Sequence, residues 1–367
     1  MLGYCTNIHP GESFADIAAL LQHEILDVRI KSPPHEPLPV GLRLSAAAAA
    51  SIGERERAWV AEHCAQHNLI IPSLNGFPYG AFHATRVKEQ VYQPDWRAEA
   101  RVAYSVMLAR LLGVWLPPGI TGSVSTVPLG FRTTLPAPEM ARVRTNLTRA
   151  LEGFDQVRQR TGKPLVLALE PEPGCWLEST TDVVAFFETL KLPASLRSAL
   201  AVCFDCCHHA IAFEEPATSF AALAQAGIAV AKVQVSSALR VVDGAHQLLR
   251  PFAEPRYLHQ VVARTPDGLF TRYLDLEDAL RTAPQTDAEW RVHFHVPVHL
   301  ADCGGLGTTQ SWLQQALAVR PAEAFLEVET YTWSSLPKAA RQTSVTATII
   351  QELEWVRRQM DATHRGA

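Results

Sequence analysis

The chain has 367 residues, 47% hydrophobic and 19% charged, and its 33 basic and 37 acidic side chains leave a net charge of −4. That apolar fraction excludes a disordered chain, and the mild acidity argues against a nucleic-acid-binding protein. Length alone allows one domain or two, because α/β barrels run to about 250 residues and beyond as one unit.

The opening MLGYCTNIHPGESF has no basic stretch followed by a long apolar run, so no signal peptide is expected. The alanine run Ala46–Ala50 is short and hemmed in by Arg43, Glu54, Arg55 and Glu56, so no membrane insertion is expected. Seven cysteines (Cys5, Cys64, Cys175, Cys203, Cys206, Cys207 and Cys303) are odd in number and irregular in spacing for a disulfide framework. They point to reduced thiols and a cytoplasmic location.

Nine apolar runs of strand length follow in chain order: Tyr4–His9, Val40–Ser45, Leu69–Phe77, Gly122–Pro128, Leu165–Glu170, Ala201–Asp205, Val230–Ser236, Val292–Val298 and Ala324–Thr330. Each is rich in Val, Ile, Leu or Phe, as strands buried on both faces should be. Helical patterns lie between them at Ser13–His23, Glu54–His67, Trp96–Leu112, Ala137–Arg160, Thr218–Ala226 and Thr309–Ala318, with a long final one near Lys338–Met360. The alternation predicts parallel βα units. The whole of 1–367 is expected to form one α/β domain, a (β/α)8 TIM barrel with a C-terminal helix. Nine runs are one more than such a barrel requires, so one of them is an extra strand or hairpin.

Active sites of these barrels sit where strands end and loops begin. The polar residues at those places are Asn7 and His9; Asn75; Ser125 and Thr126; Glu170 and Glu172; Asp205, His208 and His209; Gln234, Ser236 and Ser237; His293 and His295; and Glu327 and Glu329. Such residues are expensive there unless paired or ligated, and a doubly wound open sheet would gather its polar ends at one switch point instead. LVLALEPEP places Glu170 after an apolar run, AVCFDCCHH does the same for Asp205, and VHFHVPVH and AFLEVETYTW carry His293/His295 and Glu327/Glu329 on alternating strand positions. Carboxylates and imidazoles converging at strand ends make a mixed oxygen and nitrogen site for a divalent ion: Mn²⁺, Mg²⁺, Co²⁺ or Zn²⁺.

Taken together, Glu, then Asp-x-x-His, then a histidine-bearing strand, then Glu resembles the xylose-isomerase-like barrel superfamily of sugar isomerases, epimerases and endonuclease IV. CTNIHPGES, SLNGFPYGAFH, VYQPDW, STVPLGF, LEPEPGCWLE, HFHVPVHL, GGLGTTQSW and EVETYTW resemble, more narrowly, the EboE-type metabolite-traffic proteins. The resemblance implies Glu170, Asp205 and Glu329 as metal ligands, Glu327 being the weaker candidate for the last place, and Glu170 with Glu329 as an acid/base pair. His208 then becomes a substrate contact, with Asn75, Trp176, Gln234 and His293 beside it. Where the superfamily offers a histidine ligand on its seventh strand, this chain has Gln234; either its carbonyl ligates or His295 reaches in, and imidazole is the better ligand. Lys232 and Arg240 are available to neutralise an acidic or phosphorylated substrate.

Other motifs carry plainer readings. Cys203, Cys206 and Cys207 lack a partner C-x-x-C and fit small buried residues better than zinc ligands. Gly304–Gly307 reads equally as an anion cradle or a tight turn. Asn75–Gly80 reads as a turn or as a lid whose Phe77 and Tyr79 cover the mouth, and Trp176, Tyr331 and Trp333 as walls of an apolar pocket or as ordinary packing. Three functions compete: a metal-dependent isomerase or epimerase of a small metabolite; a protein that binds and handles a precursor for export in the same pocket; and, last, an endonuclease IV-like phosphodiesterase, which the acidity disfavours. The partner expected is a small molecule, and the sequence leaves homo-oligomerisation open.

Overall fold

A computed structural model describes residues 1–366 apart from 84, 133–135, 137, 138, 243, 283–286 and 342. Among these residues thirteen strands are formed: β1 Leu2–Cys5, β2 Leu38–Arg43, β3 Leu69–Asn75, β4 Gly122–Thr126, β5 Leu165–Leu169, β6 Leu200–Asp205, β7 Val230–Val235, β8 Ser237–Val241, β9 Val261–Arg264, β10 Phe270–Tyr273, β11 Glu289–Val296, β12 Gly307–Thr308 and β13 Phe325–Val328. Eight of them close a parallel barrel in the order β1-β13-β7-β6-β5-β4-β3-β2, and the other five make an antiparallel sheet in the order β10-β9-β11-β8-β12.

Each of the eight barrel strands overlaps one of the nine apolar runs, the first only at Tyr4 and Cys5, because Thr6–Ile8 turns as a short 3-10 helix. The surplus run is Val292–Val298, whose strand β11 pairs antiparallel with β8 and β9. The chain leaves the barrel at Ser236, between β7 and β8, and returns through the helix Gln310–Val319 to β13. Alternation along β11 explains its two roles: Trp290, Val292, Phe294 and Val296 enter a hydrophobic cluster of their own, while His293 and His295 occupy the intervening positions.

Barrel helices follow the apolar spacing that places residues three and four apart on one face. In Met140–Thr161, Val143, Leu147, Ala150, Leu151, Phe154 and Val157 are buried, and Gly162 ends the helix at φ +66°. The expected start of that helix, at Ala137, lies outside the described residues. The final helix runs from Val345 to Gly366. Among the described residues no helix is long and apolar enough to cross a membrane.

Below the mouth the barrel interior is charged. Lys232 Nζ lies 3.0 Å from Glu327 Oε1 and 3.2 Å from Ser125 Oγ, and both ionic side chains are fully buried. Gly41 makes the space, since a Cβ there would stand 1.8 Å from Glu327 Oε2.

Candidate functional site

Glu170 and Glu329 reach the mouth one residue past the end of β5 and β13, their backbone N–H groups still donating to Thr126 and Val235 of the neighbouring strands at 3.1 Å. Asp205 ends β6 and at once caps the helix Cys206–Ile211, its Oδ1 accepting the His208 N–H at 3.1 Å. The same carboxylate thus caps a helix and faces the site.

Glu170, Asp205 and Glu329 each turn an oxygen to within 4.8 Å of the other two. Asn7 Nδ2 (2.6 Å), Gln234 Nε2 (3.0 Å) and Asn75 Nδ2 (3.2 Å) all donate to Glu329 Oε1. Ser236 Oγ donates to Asp205 Oδ1 at 2.7 Å. Four acceptors in this group are buried without a partner: Glu170 Oε2, Asp205 Oδ2, Gln234 Oε1 and His295 Nε2. Buried polar atoms are almost always paired, so this cluster of lone pairs fits a divalent cation.

Three imidazoles cluster beside these carboxylates. His295 Nδ1 donates to the Glu329 carbonyl at 3.0 Å, which leaves the lone pair on Nε2, 3.9 Å from Asp205 Oδ2. His208 Nδ1 donates to the Pro171 carbonyl (2.7 Å) and His293 Nδ1 to Gln260 Oε1 (2.7 Å). Their Nε2 atoms then face each other at 3.1 Å, with the Tyr331 hydroxyl 3.4 Å from that of His293. Hence Asp205, His208 and His295 also offer ligand atoms within 4.8 Å of one another, as do Glu172, His208 and His293. The expected ligand set is divided: Glu170, Asp205 and Glu329 group together, and His295 groups with Asp205 and His208.

Burial sets the protonation states. It raises the Glu170 carboxyl to about 8, with Lys232 pulling down and Asp205 pushing up. It raises Glu329 well above the carboxylate range, with Glu170 and Asp205 adding to the effect. Burial would raise Asp205 too, but His208, His295 and the Ser236 hydroxyl hold it below its ordinary value. Burial lowers His208 to about 4 and pushes His293 and His295 down as well, so these rings are neutral at pH 7 and able to ligate.

Asn75, His208, His293, Glu170 and Glu329 line one cleft. Trp176 is not among its lining residues; its ring lies under the Arg132 guanidinium at 5.8 Å. Neither expected cation is available to a substrate: Lys232 is buried against Glu327, and Arg240 pairs with Glu289 at 2.8 Å on the antiparallel sheet. Phe77 lines the cleft, whereas Tyr79 packs edge-on against Tyr104. All seven cysteines are buried and free, and Gly304 and Gly305, at φ +69° and +84°, form a turn into β12. Sequence reasoning noted Asn7 and Glu172 at strand ends but gave them no part in the site; the EPEP spacing was the available signal for Glu172. It missed Gln260, whose Nε2 donates to Tyr92 Oη (2.9 Å) and Pro173 O (3.0 Å), because no periodicity marks its segment.

No protein-family model matches the chain, and no curated protein matches it. Solved structures do. One described as the IOLI protein with a binding zinc atom is 11% identical, with a TM-score of 0.51 over 99% of this chain and 98% of that one. A D-tagatose 3-epimerase-like protein is 9% identical, with a TM-score of 0.51 over 100% and 98%. A xylose isomerase domain protein from Alicyclobacillus acidocaldarius is 12% identical, with a TM-score of 0.51 over 99% and 100%. The fold is that of the xylose-isomerase-like barrels. At these identities the likeness is one of fold, and within it this chain carries Gln234 on β7 and its paired histidines on an antiparallel excursion.

Proposed function

We propose that this protein is a divalent-metal-dependent isomerase or epimerase of a small hydroxy-carbonyl metabolite, acting by proton transfer next to the carbonyl. The observation that carries this reading is the buried trio Glu170, Asp205 and Glu329 with its unpartnered oxygens. The three carboxylates would hold the ion, which supplies a Lewis acid that polarises the substrate carbonyl when bound. Gln234 Oε1 would complete an oxygen set from β7, and His295, beside Asp205, would offer a nitrogen ligand. Mn²⁺, Mg²⁺, Co²⁺ and Zn²⁺ all suit these donors.

Glu170 would take the proton from the carbon beside the carbonyl, and Glu329 would return one from the other side. Three donors on Glu329 Oε1 leave Oε2 as the oxygen presented to the substrate. His208 and His293 would hold a substrate hydroxyl, and Asn75 and Gln234 would orient Glu329. We read residues 1–367 as one domain, because His293 of the antiparallel sheet lines the cleft whose floor the barrel builds. The EboE-type motifs support a place in metabolite traffic within the cytoplasm, and the acidic cleft suits a small molecule rather than nucleic acid.

The test pairs metal analysis of the purified protein with solvent deuterium exchange into simple hydroxy-ketones. Bound divalent metal that is lost in Glu170→Ala and Asp205→Ala, together with exchange, is the expected result. Absence of bound metal, or equal metal in the variants, overturns the metal site. Metal without exchange into any hydroxy-ketone converts the reading to binding and handling.

A further inference from the structure

The cleft has a polar floor and an apolar wall. Above the carboxylates and imidazoles stand Phe77, Phe82, Val87, Val91, Leu258 and Tyr331. Phe82, Tyr257 and Tyr331 pack on one another with ring centroids 5.1 to 5.3 Å apart, and with Val87 and Val91 they form a hydrophobic cluster separate from the barrel core. Three distant segments supply it: the loop after β3, the stretch before β9 and the turn after β13. The wall's polar atoms are engaged, Tyr257 Oη with His83 Nδ1 at 2.9 Å and Tyr92 Oη with Glu172 Oε1 at 2.8 Å.

Charge in the cleft is one-sided. Among the described residues lining it, Lys88 is the single Lys or Arg, and its Nζ is paired with Asp275. Apart from a metal already held by its own carboxylates, a phosphate or carboxylate on the substrate would find no unpaired basic side chain among the described lining residues. A sugar's outer hydroxyls would be desolvated against rings and methyl groups that accept no hydrogen bond.

We infer that the substrate is an uncharged hydroxy-ketone, or its epimer, whose chelating head sits on the floor and whose aryl or similarly apolar tail lies in the Phe82–Tyr257–Tyr331 wall. This rests on the hydroxy-carbonyl reading above. A ring buried there replaces water on both its own surface and the wall's, a gain of roughly 10- to 100-fold in affinity.

Calorimetry on the manganese-loaded protein tests it with four probes: hydroxyacetone, its benzyl-substituted homologue, dihydroxyacetone phosphate, and benzylacetone, which keeps tail and ketone but lacks the hydroxyl. The benzyl homologue is expected to bind ~10- to 100-fold tighter than hydroxyacetone, with the phosphate no tighter than hydroxyacetone. Phe82→Ala and the isosteric Val87→Thr should each shrink the benzyl preference. Equal binding of the two hydroxy-ketones, or tightest binding of the phosphate, overturns the inference and leaves the head-group reading intact. Benzylacetone binding as tightly as its hydroxylated counterpart keeps the tail site and removes the chelating head. No binding by any probe overturns both.

Discussion

The barrel and the antiparallel sheet contribute different chemistries to one site. From the barrel come the carboxylates, Glu170, Asp205 and Glu329, each placed where a parallel strand ends. From the sheet come His293 and His295, placed by alternation along an antiparallel strand whose other face is packed with Trp290, Val292 and Phe294. The barrel strands are enclosed on both faces, so their inward charges must be paired, as Lys232 and Glu327 are. The sheet needs only one apolar face, which leaves alternate positions free for function. Glu352 of the final helix joins the two regions, its Oε1 accepting from Val298 N at 3.0 Å and from Thr330 Oγ1 at 2.6 Å.

This division can be broken from either side. The largest effect belongs beneath the barrel mouth: Lys232→Met leaves Glu327 buried and unpaired, and denaturant unfolding should show a loss of ~3–5 kcal/mol. Adding Glu327→Leu should restore much of it; no recovery in the double variant would mean that Lys232 acts by packing alone. Next, Glu170→Gln and Asp205→Asn should weaken metal binding by more than about 100-fold, beyond the range seen when groups behind the ligands are removed. On the sheet side, His295→Gln should weaken it by about 10- to 100-fold while leaving the unfolding midpoint of the metal-free protein in place. If His295→Gln and Asp205→Asn cost the same affinity, carboxylate and imidazole are equal partners and the contrast drawn here fails.

A further effect is read in pH. The Glu170 carboxyl is raised from 4.5 to about 8 in the folded chain, so the folded state holds this proton more tightly than the unfolded one. Its contribution to the stability of the metal-free protein therefore falls as pH rises from about 4.5 through about 8. The Glu170→Gln variant should lose that part of the slope in thermal melts. Divalent metal should reverse it, because ligation displaces the proton and strengthens as pH rises.

Much of this was legible in the chain. Eight apolar runs became the eight barrel strands, and Glu170, Asp205 and Glu329 could be picked out because each interrupts or ends such a run. The ninth run, Val292–Val298, carries the same alternation as a barrel strand, and its pairing with β8 and β9 is long-range. β9 and β10, VVAR and FTRY, are β-forming in composition but only four residues long each, too short to stand out as runs. Trp176 sits next to candidate ligands in sequence, yet the turn at Gly174 carries it away from the cleft. Gln260 entered the site from a segment with no pattern, held by hydrogen bonds to Tyr92 and Pro173.

By itself the sequence determined the βα rhythm, the barrel, the apolar core and the acidic strand ends, because periodicity and burial are local properties of a chain. Only the tertiary structure decided which run left the barrel, which carboxylate was occupied by Lys232 and which imidazoles face Asp205. Those outcomes depend on distances between residues tens to hundreds of positions apart, where a hydrogen bond or a buried charge is satisfied or left open by whatever the fold brings beside it.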